Sequence, residues 1–330
     1  MKHIRLTHKL RAGLAASSLV LGLMGAGVAQ AQDFPSHPID LIAASQAGAP
    51  NDLLSRKLAE LMEKRGGPTL VIENLTGAGS LLAGQKLVNS PADGYTLGIF
   101  NEGLFVIMPL VKADLEFDPN EAMEPISVIG TLESILVANP ALGIHSVEEM
   151  IAAASKEPNK YTYASVGAGS SQHIKMATIL GKTGLQMRHI PYKGGNNALQ
   201  ATMSGEVDFY VSGATTTFAP IADGRLAPIG LLVGERSKFL PDVPTLKEQG
   251  VDYDDGATFI IFAPKGVPED IKAKLREEIS LTLADPAFAE GIKPLGMSVN
   301  DMSPEEIQAL ITREYTNNKA TLGGLGLLAK

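Results

Sequence analysis

The 330-residue chain carries 28 Lys and Arg against 36 Asp and Glu, a formal net charge of −8, with no cysteine and no tryptophan. This acidic balance, without a basic cluster, excludes a polyanionic partner such as nucleic acid. The missing cysteine excludes a disulfide, a thiol nucleophile, a Cys-ligated metal and a lipid-bearing cysteine. The missing tryptophan excludes a sugar site lined by stacked indoles.

Residues 1–31 read as a secretory signal peptide. Lys2, Arg5, Lys9 and Arg11 precede an apolar run diluted by Gly, Ala and Ser, and Ala29-Gln30-Ala31 is a small-x-small cleavage site. The rival reading is a membrane anchor; the small residues and the cleavage triplet argue against it. Loss of the four basic residues takes the net charge from −8 to −12. The expected location is the periplasm. About three hundred residues then remain, enough for two domains.

Residues 39–44 (IDLIAA) form a short buried strand. LLSRKLAELMEKRG follows as an amphipathic helix, LVIEN as a strand, LLAGQKLV as a helix and YTLGIF as a third strand. This alternation predicts an α/β lobe with a mostly parallel sheet. ISVIGTLESILVANP is long and β-rich enough to cross between lobes. Ser146 and Glu149 form a capping box for the next helix. YTYASV, then SQHIKMATIL, repeats the strand-to-helix unit. PIGLLV is a strand able to carry the chain back, and ATFIIFAPKGVP with two late helices completes the chain. The predicted division places one lobe at 33–135 plus 235–330 and the other at 136–234, with ILVANP and IGLLV side by side.

Two copies of one tetrapeptide open helices: Gly77-Ala78-Gly79-Ser80 after LVIEN, and Gly167-Ala168-Gly169-Ser170 after YTYASV. A glycine turn feeding a helix presents free N–H groups and the positive end of the helix dipole, a site for a carboxylate, sulfonate or phosphate. Two such turns predict two lobes offering helix starts to one anion across a cleft. The bland alternative is two strand-to-helix turns that need glycine only for its left-handed backbone.

Other candidates carry paired readings. Asp52 lines the cleft or serves the start of its helix. His173, three residues after Ser170, donates to a carboxylate or is structural; Ser171 stands beside it. His189 reaches a rim or packs a loop. Asp208 binds ligand through water or fixes a loop. Asn101 and Glu102 follow a strand and point at the cleft, where Glu102 suits an amine or hydroxyl better than an anion; its alternative is solvent. The histidines show no metal-ligand spacing, so no metal or cofactor is expected. Ser170 and Ser171 lie outside any Gly-x-Ser-x-Gly elbow, and no set of base, nucleophile and metal supports an enzyme.

The order of short motifs resembles the Bug-type periplasmic solute-binding proteins of tripartite tricarboxylate transporters, from about Phe34 to Leu310. FPSHPIDLI, IENLTGAGS, PADGYTL, YASVGAGSSQHIKMA, HIPYKGGNNALQATMSGEVD, LPDVPTLKEQG and FAPKGVP carry the likeness. It implies a type II periplasmic-binding fold: two α/β lobes, a two-strand hinge and a cleft. It also implies capture of a small organic carboxylate by a monomer and delivery to an integral-membrane permease. The carboxylate would be held by main-chain N–H groups and small hydroxyls. On this resemblance the ligand-binding set comprises Ser45, Gln46, Ala47, Gly48, Asn51 and Asp52 in the first loop, both glycine turns with Ser171 and His173, and Asn101 and Asp208. Rival readings are the binding component of a sulfonate or phosphonate importer and a secreted enzyme with a phosphate loop. The chain departs from the family at Ser45, Leu75-Thr76, Ser80-Leu81 and Thr258. Ser45 and Thr258 replace aromatics, and Leu75, Leu81, Phe100 and Phe105 add apolar surface. The pocket they suggest fits a bulkier carboxylate, aromatic ones included, unless those leucines are core.

Overall fold

The computed structural model describes residues 34–329; the leader expected over residues 1–31 lies outside them. No helix among the described residues is long and apolar enough to cross a membrane.

The first sheet starts with β1 (Ile39–Ala43), buried at Ile39, Leu41, Ile42 and Ala43, which pairs in parallel with β2 (Leu70–Asn74) and β3 (Thr96–Phe100). Between them run α1 (Pro50–Lys64) and α2 (Leu81–Val88). A π-helical turn, Gly103–Ile107, leads toward β4 (Met123–Leu132). The second sheet is built from β5 (Ser134–Ala138), β6 (Thr162–Ser165), β7 (Arg188–Pro191), β8 (Phe209–Gly213) and β9 (Ala227–Leu231). Its helices are α3 (Val147–Ala154), α4 (Ser171–Thr183), α5 (Gly195–Ser204) and α6 (Ala214–Ala222). The chain returns through β10 (Ala257–Pro264), α7 (Glu269–Leu283), α8 (Pro286–Ile292), β11 (Met297–Ser298) and α9 (Pro304–Gly324).

The strand orders are β11-β4-β10-β3-β1-β2 and β7-β6-β8-β5-β9. Each sheet is mixed rather than mostly parallel. β10 runs antiparallel to both β3 and β4, and β5 runs antiparallel to both β8 and β9. These are strands the chain enters by crossing between sheets, so no helical crossover fixes them parallel. The two segments expected side by side do pair: Ile135 faces Leu231 and Leu136 faces Gly230.

Only Glu133 separates β4 from β5. Its N–H donates to Gly296 O and its carbonyl accepts from Ala214 N–H, so the crossing is pinned from both lobes. The return differs from the expected 234/235 boundary. Val243, Leu246, Val251 and Tyr253 are buried in the cores of the second lobe. Their burial keeps residues 243–253 with that lobe, and the chain leaves it just before β10. Ser146 caps α3 by accepting from Glu149 N–H, but the Glu149 carboxylate reaches back to His145 N–H rather than closing the box on Ser146.

Candidate functional site

The carboxyl ends of β1, β2 and β3, and the residues that follow β6, carry the sequence-predicted residues. Ligands in open α/β sheets bind beyond such ends. In the first lobe Asp52 ties the loop after β1 to the end of β2. Its Oδ2 accepts from Gly48 N–H at 2.8 Å, and its Oδ1 accepts from Arg56 Nε and Asn74 Nδ2, each at 2.9 Å. Burial raises the carboxyl's pKa, but the bonds from Arg56, Gly48 and Asn74 outweigh it and hold Asp52 below its ordinary value. Both carboxylate oxygens of Asp52 accept from protein groups, and they tie the loop 45–48 to α1 and β2. Gln46, Ala47 and Gly48 are exposed on that loop.

Three buried polar atoms nearby have no protein partner: Ser45 Oγ, Asn51 Oδ1 and Glu102 Oε2. Asn51 spends its amide on Ile99 O, in β3. Orphan polar atoms of this kind call for water or a ligand group. Asn101 is half-buried, and its Oδ1 accepts from Gly103 N–H.

The two Gly-Ala-Gly-Ser copies take different conformations. Gly77, Ala78, Gly79 and Ser80 all have positive φ, of 135°, 48°, 65° and 73°. Ser80 therefore does not cap α2. A left-handed Ala and Ser cost about 1–2 kcal/mol each, and the turn Gly77–Ser80, exposed at Gly77, Ala78 and Gly79, holds that strain at the mouth of the β2–α2 unit. In the second copy only Gly167 and Gly169 have positive φ, and Ser170 is an extended N-cap that accepts from His173 N–H. Here several donors are already used. Gly167 N–H goes to Ser165 Oγ, Ser170 N–H to Gly167 O, and Gly169 N–H to His173 Nδ1 at 3.0 Å. Ser171 and Gln172 occupy the first helical positions, whose N–H groups have no acceptor inside a helix.

His173 is a positioning residue of this turn. Its ring stacks on His189 at 4.0 Å, and His189 stacks on Tyr163 at 5.1 Å and meets Ser165 Oγ at 2.6 Å. Burial, with His189 alongside, lowers the His173 pKa to about 4, so the ring is neutral at pH 7. A neutral ring that accepts at Nδ1 carries its proton on Nε2.

Several expectations are corrected. Asp208 precedes β8, and it accepts from Thr162 N–H and Oγ1 at the first residue of β6. It thus sits a strand length from Gly167, at the amino ends of these parallel strands, where it fixes a loop. Phe100 and Phe105 are fully buried in the first lobe's core, and Leu75 and Leu81, half-buried, pack against that same cluster, as the alternative of core leucines expects. Thr258 lies in β10 with its hydroxyl 3.4 Å from Thr131 Oγ1, away from both turns.

Glu102 does not face solvent. It is buried at the lobe junction with Lys175, Asp255 and Glu314. Burial pushes its pKa up to about 7, with Lys175 opposing and Asp255 adding to the rise. Lys175 donates to the Asp255 backbone carbonyl, and its Nζ lies 3.4 Å from both Asp255 Oδ1 and Ser134 Oγ. Sequence reasoning missed Lys175, Glu133, Asp255 and Glu314. One signal existed: Lys175 interrupts an apolar helix stripe between Ile174 and Met176, and such a lysine needs a buried counter-charge. Beside the junction, along β4 and β10, lies a cavity of about 480 Å³ that the sequence did not suggest.

The family model described as "Tripartite tricarboxylate transporter family receptor" (TctC) matches residues 54–327. A protein of Cupriavidus necator from the gbd 5′ region is 32% identical over 323 residues, covering 96% of each chain. A TctC solute-binding protein from Polaromonas superposes with a TM-score of 0.81 at 24% identity, covering 88% of this chain and 99% of that one. Rpa4515 of R. palustris, solved with adipate, gives a TM-score of 0.70 at 25% identity, covering 90% and 99%.

Proposed function

Because the chain belongs to the TctC family of tripartite tricarboxylate transporter receptors, we propose that it captures a small organic carboxylate between its lobes and hands it to integral-membrane permease subunits. It is a solute-binding receptor and not an enzyme. The observation that carries the ligand class is the helix start at Ser171. Its unspent N–H groups and helix dipole follow a glycine turn that His173 and Ser165 hold rigid. The left-handed Gly77–Ser80 turn and the orphan Ser45 and Asn51 atoms supply the opposite wall. Adipate in Rpa4515 supports a dicarboxylate of moderate length. Closure of the lobes excludes water and strengthens each polar contact. Export to the periplasm behind a leader cleaved near Ala31, and work as a monomer, complete the proposal.

The experiment is a thermal-shift screen of mono- and dicarboxylates followed by calorimetry. A ligand at a hundred times its Kd stabilises the folded state by about 2.7 kcal/mol. Gly169 has φ of 76°, and a Cβ there meets nothing within 4 Å. Gly169→Val therefore strains the turn without a clash elsewhere, and carboxylate affinity should vanish while the circular dichroism spectrum is kept. A panel in which no carboxylate raises the Tm overturns the reading, and unchanged affinity in Gly169→Val removes the second turn from the site.

A further inference from the structure

We propose that the cavity at the lobe junction is a second binding site, one that takes an aliphatic primary ammonium compound. It is separate from the carboxylate cleft. The cavity lies along the β11-β4-β10 side of the first sheet, whereas Gly77 follows β2 at the opposite edge. Its volume of about 480 Å³ suits a small molecule.

The floor of the cavity is acidic. Glu133, in the crossing between β4 and β5, and Glu314, on α9, both line it. Each residue is 3% exposed, and each has an Oε2 with no hydrogen-bond partner. Glu102 and Asp255 are buried beside Glu314, and the cation buried among them is Lys175, which is engaged by Asp255 and Ser134. The buried acids therefore outnumber their buried cation. The other cations that line the cavity, Arg236, Lys238, Lys293 and Arg313, are all exposed and do not correct this. Arg313 pairs with Asp254 at 3.2 Å and Arg236 with Glu248 at 3.0 Å, and both are about half exposed.

The remaining surface fixes the class of cation. Val233, Phe239, Met297 and Leu310 give the walls apolar area for an alkyl chain. An ammonium group brings three donors, which suits a buried carboxyl oxygen left without a partner. A bare metal ion fits less well: among the described residues no group of three metal-binding side chains converges. Burial pushes the carboxyls of Glu133 and Glu314 upward. Ser237 opposes this at Glu133. At Glu314, Asp255 and Glu102 add to the rise while Lys175 and Arg313 oppose it. An occupant would touch Glu133 at one interlobe crossing and Val233, Gly234 and Gly256 on the return path, so it would bias the angle between the lobes.

The test uses calorimetry on the whole chain with n-butylamine, 1-butanol and butyrate as probes. Butylamine should bind at one equivalent, with 1-butanol weaker by about tenfold or more. Glu133→Gln and Glu314→Gln should each cost a similar factor, and Glu133→Asp should recover part of it. Circular dichroism establishes that each variant folds, and the Glu314 variant decides the matter if the Glu133 variant does not fold. Gly169→Val should leave amine binding intact, which separates this site from the cleft. Equal binding of butanol and butylamine would show an apolar cavity only. That result, no saturable amine binding, unchanged affinity in the Gln variants, or loss of amine binding in Gly169→Val would each overturn the proposal.

Discussion

Glu102→Gln gives a direct measure of the charge buried at the lobe junction. Burial raises the Glu102 carboxyl from its ordinary value of 4.5 to about 7. At 1.36 kcal/mol per pKa unit, that shift is a charging penalty of about 3 kcal/mol. The sign follows from proton counting. Below pH 4.5 the residue is protonated in both folded and unfolded chains and imposes no penalty. Between 4.5 and 7 the unfolded chain ionises first, so stability is lost as the pH rises, and above 7 the full penalty stands. The amide of the variant cannot ionise. It carries a fixed cost of about 1–3 kcal/mol for an unsatisfied buried group, which does not change with pH. His173 titrates in an overlapping window with the opposite sign: its pKa is lowered from 6.5 to about 4, so its contribution is present above 6.5 and lost as the pH falls toward 4. That term is common to both proteins and cancels in their difference. Removing the Glu102 charge also relieves Glu314, which it pushes upward, and this adds in the same direction. The assay is urea unfolding at half-unit steps from pH 4.5 to 8. The variant should gain about 3 kcal/mol on the wild type across that range. Parallel stability curves for the two proteins would refute the assignment of a buried, proton-binding Glu102.

Lys175→Met removes the cation buried among Glu102, Asp255 and Glu314, and should destabilise the fold by about 3–5 kcal/mol near pH 8, with a smaller loss at pH 5; chemical denaturation at both values checks this. Asp52→Ala leaves Gly48 N–H without its acceptor and reduces Asn74 Nδ2 to Ser45 O and Arg56 to Asn74 Oδ1, so it should cost about 1–3 kcal/mol and speed amide exchange across residues 45–49, as hydrogen exchange would report. An exchange pattern unchanged in that loop would mean Asp52 does not hold it.

Much of the fold was legible because its signals are local. IDLIAA and YTLGIF appear as β1 and β3 because largely apolar runs fill the buried middle of a sheet, and LVIEN appears as the half-exposed edge strand β2. The stretch ISVIGTLESILVANP reads as one long β-rich crossing because the only break between β4 and β5 is Glu133, a single residue. α6 escaped because three threonines and Pro220 hide an otherwise ordinary helix; Pro220 is tolerated near its end. The junction was illegible for a different reason. Residues 102, 175, 255 and 314 meet only after the chain has crossed twice between sheets, and no spacing in the sequence records that meeting.

The paired tetrapeptides show where motif reasoning stops. Gly77–Ser80 and Gly167–Ser170 are identical in sequence, yet one is a left-handed turn and the other a capped helix start. The difference lies downstream. Position 173 is a histidine whose backbone N–H the Ser170 hydroxyl can cap and whose ring accepts from Gly169 N–H. The equivalent position after Ser80 is Ala83, which offers no ring, and Leu82 closes over Gly77 so tightly that a Cβ there would lie 2.5 Å from its Cδ1. A glycine turn signals anion binding only through the N–H groups it leaves free. Which ones stay free is settled by side chains three or four residues away, and that is why the tetrapeptide located both turns without fixing which donors remain for a ligand.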